Sequence, residues 1–262
     1  MPTPQSPLAH FFARIASAAR SLSLPQLAEP SDSSGPSIQT LASRGDYAAL
    51  CELLQAGPHR PPAAAIQSAL YFAAESGSAQ CAALLATAAD PKADNSRALA
   101  LAASSGKAEC VAALIPLSHP PADKSRALRG AASHGKTECV RLLLPVCNPK
   151  AARSEALRHA AANGHAECVK LLIPVSDHRS TALCLAAAKG RLDVAKLLFD
   201  SLSPNSAILH GRSAAAAARS AGFPLASEQI SEWALAQEER ILLRSSCLGE
   251  NTSARISASR RL

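Results

Sequence analysis

Aromatic side chains are scarce in this chain: Phe, Tyr and Trp make up 3% of its 262 residues, although 48% count as hydrophobic. The apolar content is therefore largely Ala and Leu, which are too small to fill a thick globular interior. They suit closely stacked helices in which each layer covers only its neighbour. No run of about 18 or more apolar residues exists, which argues against a membrane-spanning helix. The P-loop, the nucleophile elbow, the dinucleotide fingerprint, His-Glu-x-x-His and Cys-x-x-Cys are all missing. Each of these needs a fixed spacing to hold a phosphate, a nucleophile or a metal. The expectation is a protein that is not an enzyme and has no cofactor and no catalytic or metal-ligating residues.

Acidic residues are the minority charge, 20 against 27 Lys and Arg, for a net charge of +7. That balance favours acidic partners. The basic residues are scattered rather than blocked, and the few aromatics leave little for base-stacking platforms. Nucleic acid is thus disfavoured, and association with a polyanion stands as the alternative function. Residues 1–28 contain no Asp or Glu, and they carry Arg14 and Arg20 around Leu8, Phe11, Phe12 and Ile15. This composition suits an organelle transit peptide, a bacterial secretion leader or a disordered tail alike. Residues 1–36 are accordingly assigned as a disordered or leader segment, and 245–262 as a basic disordered tail.

What the chain does have is a period. QSALYFAAESG from Gln67, SRALALAASSG from Ser96, SRALRGAASHG from Ser125, SEALRHAAANG from Ser154 and STALCLAAAKG from Ser180 repeat one another. Their glycines, Gly77, Gly106, Gly135, Gly164 and Gly190, are spaced 29, 29, 29 and 26 residues apart. Each unit divides at its glycine into two short helical patterns, Leu-x-x-Ala-Ala and then Cys/Val-Val/Ala-x-Leu/Ala-Leu. Glycine at the junction accepts the left-handed conformation that ends a helix. Pro116, Pro145 and Pro174 close the second helix. Asp90-Pro91-Lys92, His119-Pro120-Pro121 and Asn148-Pro149-Lys150 then turn the chain toward the next pair.

The pattern Ala-Leu-x-x-Ala-Ala-x-x-Gly-His-x-Glu-Cys-Val-x-Leu-Leu, clearest from Ala156 to Ile173, resembles the ankyrin repeat. Ile38, Leu41, Ala42, Gly45, Leu53 and Leu54 fall at the same offsets ahead of the clear units, and Ser213 to Gly222 resembles a terminal one, with Ile230 and Trp233 placed to seal the end. The resemblance implies an all-α, ankyrin-like helix-turn-helix repeat solenoid over 37–204, with units near 37–65, 67–95, 96–124, 125–153, 154–179 and 180–204 and C-terminal capping helices over 205–244. In two respects the chain departs from the family. Its Thr-Pro helix start is replaced here, so Ser96, Ser125 and Ser154 are expected to cap the first helices. A 29-residue unit is also shorter than the usual length of about 33, which predicts reduced β-hairpin fingers and resembles bacterial ankyrin proteins.

By that resemblance the variable contact positions fall on the residue after Ala-Leu and on the pair before each glycine. The candidate partner-binding set is Tyr71, Glu75, Ser76, Ser104, Ser105, Arg126, Arg129, Ser133, His134, Arg158, Asn163 and Lys189. Its arginines make a basic stripe suited to carboxylates, which guanidinium grips with forked hydrogen bonds. The implied function is a protein-protein interaction scaffold or inhibitor that binds an acidic protein surface through its concave face. It is expected to be a monomer, either cytoplasmic or secreted into a host cell as a bacterial effector. Cys81, Cys110, Cys139 and Cys168 stand where the family has Val or Ile, which makes them small core hydrophobes. Layers about 10 Å apart exceed the roughly 7 Å that a disulfide spans, and eight thiols without a secretory signal point to a reducing compartment. His165 matches the family's turn histidine, while His134 and His159 are expected to lack a partner carboxylate.

Overall fold

Each Ala-rich pattern forms a helix and each turn glycine ends one. In the computed structural model the described residues are 37–56, 60–118 and 122–259, and the chain from Ser37 onward forms one unit. The leader-or-tail assignment of residues 1–36 lies outside the described residues. The helices pair as α1 (Ile38–Arg44) with α2 (Tyr47–Gln55), α3 (Ala63–Ser76) with α4 (Ala79–Ala88), α5 (Ala93–Ser105) with α6 (Ala108–Leu114) and α7 (Ala122–Ser133) with α8 (Thr137–Leu143). They continue as α9 (Ala151–Asn163) with α10 (Ala166–Leu172), α11 (Arg179–Ala188) with α12 (Leu192–Asp200) and α13 (Pro204–Ser220) with α14 (Pro224–Ser259). First helices pack on first helices of the next unit and second on second, giving two layers. No strand occurs among the described residues, so the fingers are reduced to turns.

Proline sets the length of the second helices. Pro116 and Pro145 follow the ends of α6 and α8, and Pro174 sits in a 3-10 turn, Ile173–Val175, after α10. These three helices have 7 residues each, whereas α4, with no proline at that point, has 10.

The core is one leucine deep. Leu70, Leu99, Leu128, Leu157 and Leu183 from the first helices and Leu85, Leu114, Leu143, Leu172 and Leu198 from the second are all fully buried. Alanine pairs such as Ala102–Ala103 and Ala160–Ala161 are sealed beside them, which lets neighbouring first helices approach closely. Cys81, Cys110, Cys139 and Cys168 are equally buried and free. Burial pushes the thiols of Cys81 and Cys110 up to about 11, so they stay protonated and unreactive at neutral pH.

Ser96, Ser125 and Ser154 are not ordinary caps. All three are buried and have positive φ (59°, 63° and 55°); φ is positive at Asp94, Ala152 and Arg153 too, so the chain makes a short left-handed turn before the Ala-Leu of these units. The Ser125 hydroxyl accepts from the Asn148 N–H at 3.0 Å and donates to the Asn148 carbonyl at 3.2 Å; the Ser154 hydroxyl accepts from the Asp177 N–H at 3.2 Å. Gln67 makes the same link to both backbone groups of Asp90 with its amide, each bond at 3.0 Å. The serine therefore ties the start of its unit to the connector leaving it, which offsets part of the cost of the left-handed backbone. Asp90 and Asn148 in turn accept from the N–H of Lys92 and Lys150, the Asx-turn expected of Asp-Pro-Lys and Asn-Pro-Lys.

At the C-terminal end Ile230 is fully buried, and Trp233 packs against Phe199 with ring centroids 5.9 Å apart. The α14 helix continues to Ser259, through residues assigned from sequence to a disordered tail. No proline follows Pro224 to stop it.

Gly106 closes α5 at φ 79°, and a Cβ there would come within 2.7 Å of the Lys136 side chain from the next unit. Gly106→Ala should therefore destabilise by more than the roughly 1 kcal/mol of backbone strain alone, and Lys136→Ala in that background should restore the steric part, as read by chemical denaturation. Additive losses would refute the contact. Cys110→Val should cost less than about 1.5 kcal/mol because shape and burial are kept, whereas Leu128→Ala should cost about 2–5 kcal/mol. A Val variant as damaging as the Leu128 variant would show that the thiol does more than pack.

Candidate functional site

Stacking puts the residue after Ala-Leu in one unit against the residue before Ala-Leu in the next. Tyr71 meets Arg97 in this way, with the guanidinium carbon 5.1 Å from the ring centroid, a cation–π contact. The Tyr71 hydroxyl donates to Asp94 Oδ2 at 3.0 Å, and Arg97 lies 3.9 Å from the same carboxylate. Two units on, Arg129 Nη1 donates to Glu155 Oε2 at 2.9 Å, with the side chains 27% and 28% exposed. That partial shielding separates this pair from the solvated ion pair Arg141–Glu138 on α8, 61% and 70% exposed, whose kind contributes little.

Between these two contacts, Ala100 faces Arg126 across a hollow of about 110 Å³ lined also by Arg97, Leu101, Ser104 and Gly130. Beyond Arg126 lies a second hollow, of about 250 Å³, formed by Arg126, Arg129, Gly130, Ser133, His134 and His159. Gly130 leaves the floor low, since a Cβ there would stand 3.4 Å from Ser104. Both volumes fall below the roughly 300–1,000 Å³ of small-molecule pockets and are of side-chain size.

The structure thus gathers Ser104, Arg126, Arg129, Ser133 and His134 into adjoining hollows. Asn163 lies next to them, its amide donating to the Ser133 carbonyl at 2.7 Å and hydroxyl at 3.2 Å. Arg158 is half-buried, and its Nε is buried without an acceptor. Tyr71, Glu75 and Ser76 on α3, and Lys189 just past α11, line neither hollow; Glu75, Ser76 and Lys189 are exposed, and Ser105 is half-buried. The hydroxyls of Ser76 and Ser104 are turned back on their own helix, donating to the carbonyls of Ala73 and Leu101.

One expectation needs correction. His159 does have a carboxylate, Glu155 one turn earlier, with Nε2 3.2 Å from Oε1, because i, i+4 residues share a helix face. Arg129, one of the arginines of the basic stripe, is engaged by Glu155 from the next unit. Arg97, Gly130, Glu155 and His159 were missed among the site residues. The signal for Arg97 and Glu155 lay in the variable position before Ala-Leu, which reads Ser68, Arg97, Arg126, Glu155 and Thr181 along the repeats; Gly130 and His159 stand two residues past Ala-Leu, where the other units carry Phe72, Leu101 and Leu185. Lys107, Lys136 and His165 act differently: their side chains lie over Gly77, Gly106 and Gly135, and His165 Nε2 is 3.0 Å from the Ser133 carbonyl. Among the described residues no group of side chains could hold a metal ion, and no helix is long and apolar enough to cross a membrane.

Burial alone would raise the Glu155 carboxyl, but hydrogen bonds from Arg129 and His159 outweigh it and hold the group below the usual glutamate range. A depressed carboxylate contributes stability at neutral pH that is lost as pH falls through its folded value. Glu155→Gln should therefore lower the thermal midpoint at pH 7, and the gap to the parent should close on acidification below about 4.3. A gap independent of pH would show that the pair is electrostatically idle.

A sequence model of the family described as "Ankyrin repeats (3 copies)" matches residues 38–127 and 128–208, well over half of the chain. The ankyrin repeat domain of human ASB11 is similar in structure, with 20% sequence identity and a TM-score of 0.59 over 75% of this chain and 98% of that one. The ankyrin repeat domain of Bcl-3, titled a unique member of the IkappaB protein family, shares 22% identity at a TM-score of 0.52, covering 65% of this chain and 87% of that one. No curated protein matches this chain in sequence. At such identities the structural likeness speaks for the fold, and ankyrin repeats are general modules of protein-protein interaction. With the family pattern spanning this much of the sequence and the helix pairs stacked as the repeats require, the chain belongs to the ankyrin repeat family.

Proposed function

We propose that this protein is an interaction scaffold or inhibitor that holds an acidic protein surface against the face of its first helices, the concave side of an ankyrin stack. The observation that carries this reading is the row of arginines on that face, Arg97, Arg126, Arg129 and Arg158, bordering hollows of side-chain size. Within that row Glu155 accepts a hydrogen bond from Arg129 and Asp94 lies 3.9 Å from Arg97, which leaves Arg126 and Arg158 without a carboxylate among the described residues. The eight cysteines suit a reducing compartment, either the cytoplasm of the cell that makes the protein or that of a host receiving it as an effector.

The test is affinity capture with the full chain, compared between two variants of equal charge change. Arg126→Glu with Lys189→Glu alters the first-helix face; Arg141→Glu with Lys170→Glu alters exposed residues of α8 and α10. The first variant should keep its helical circular dichroism and lose its partners, and the second should keep both. Equal loss from the two would indicate nonspecific attraction of a basic protein for polyanions, and binding unchanged in the first variant would move the site elsewhere. Arg129→Glu is a poor probe, because it sets two carboxylates against each other across the stack.

A further inference from the structure

Resting on the reading that the first-helix face binds an acidic protein, the structure assigns where the acidic groups go. The contacts between the residue after Ala-Leu and the residue before the next Ala-Leu form a ladder, and its rungs are not filled alike. One rung is the Tyr71–Arg97 stack and another the Arg129–Glu155 ion pair. The rung between them has an arginine and no counterpart: Ala100 stops at Cβ, Arg126 has no hydrogen-bond or ion-pair partner among the described residues, and a hollow of about 110 Å³ remains. That space is several times a water's share of about 30 Å³, enough for a carboxylate. On the far side of the filled rung, Arg158 occupies the position of Arg129. The position of Glu155 is taken there by Thr181, whose hydroxyl donates to the His178 carbonyl, and Arg158 Nε is buried without an acceptor.

We propose that an acidic segment of a partner protein lies along the first helices and completes this ladder, one Asp or Glu carboxylate entering the Ala100 gap to reach Arg126 and another pairing with Arg158. The Arg129–Glu155 rung between them shows the chemistry in place. There a guanidinium in the column of Arg158 is neutralised by a carboxylate from the neighbouring layer, in the column of Arg126, at hydrogen-bond distance. A partner carboxylate at the open rungs would relieve the same unpaired charge, and charge-assisted hydrogen bonds to Arg are the strong ones. The row would then select spaced acidic side chains rather than acidity in general, since a carboxylate already occupies the rung between.

A fluorescently labelled oligoglutamate peptide, with oligoglutamine as control, tests this by anisotropy on the full chain. Arg126→Gln and Arg158→Gln should each weaken oligoglutamate binding about tenfold and leave the circular dichroism unchanged. Ala100→Glu supplies the missing carboxylate internally: it should weaken the peptide as Arg126→Gln does and raise the thermal midpoint. Ala100→Gln, equal in size, should do neither, and the effect of Ala100→Glu on the peptide should vanish in the Arg126→Gln background. If Arg126→Glu with Lys189→Glu abolishes peptide binding while Arg158→Gln and Ala100→Glu leave it intact, the assignment to open rungs fails and the binding face survives. If no variant of this face changes binding, both fail. Duplex DNA binding as tightly with the same variant dependence would overturn the carboxylate assignment in favour of polyanions.

Discussion

A layer made of Ala and Leu cannot cover itself, and this one constraint organises the molecule. Each unit contributes a leucine from each helix and a pair of alanines, and these reach full burial only when the neighbouring unit lies against them. Hydrophobic burial then dictates how close the first helices come, and alanine, without bulk beyond Cβ, permits it. Close approach fixes register. The residue after one Ala-Leu comes to stand against the residue before the next, so that Tyr71 finds Arg97 and Arg129 finds Glu155.

The turns serve the same constraint. The left-handed glycine at each junction ends the first helix and also leaves room for the side chain that follows the next unit's glycine: Lys107 over Gly77, Lys136 over Gly106, His165 over Gly135. At the other end of the unit a buried serine fastens the connector, as Ser125 does with Asn148. Both devices spend polar groups on holding neighbouring segments in place. Residues at those positions are thereby drawn into the framework, and the free variation is left to the outward columns of the first helices.

On those columns the protein presents positive charge that the stack itself only partly neutralises. The Arg129–Glu155 pair is half-shielded and draws in His159, so it joins two units as well as balancing charge. On the rungs to either side Arg126 stands opposite Ala100 and Arg158 takes the position of Arg129, each without that balance. A repeat architecture makes such comparison informative, because the same position is sampled in successive layers and a missing partner in one is measured against its presence in another.

Period, helix pairs, turn glycines, proline stops and the cysteine column were all legible in the sequence, because each follows from local backbone preference or from burial repeating at a fixed spacing. The variable positions of the first helices were legible too, because they stand out against a constant frame. Pairing between layers was not legible: Glu155 lies 26 residues from Arg129, and nothing in either unit by itself says that a side chain of one reaches the other. Nor does composition reveal that Ser125 and Ser154 have left-handed backbones and bind the connector rather than cap a helix. The sequence by itself determined the helical layers and which residues vary, since those depend on neighbours along the chain. Which of the arginines are occupied and which stand open was decided only by the tertiary stack, because Coulombic and hydrogen-bond partners are chosen by distance in space.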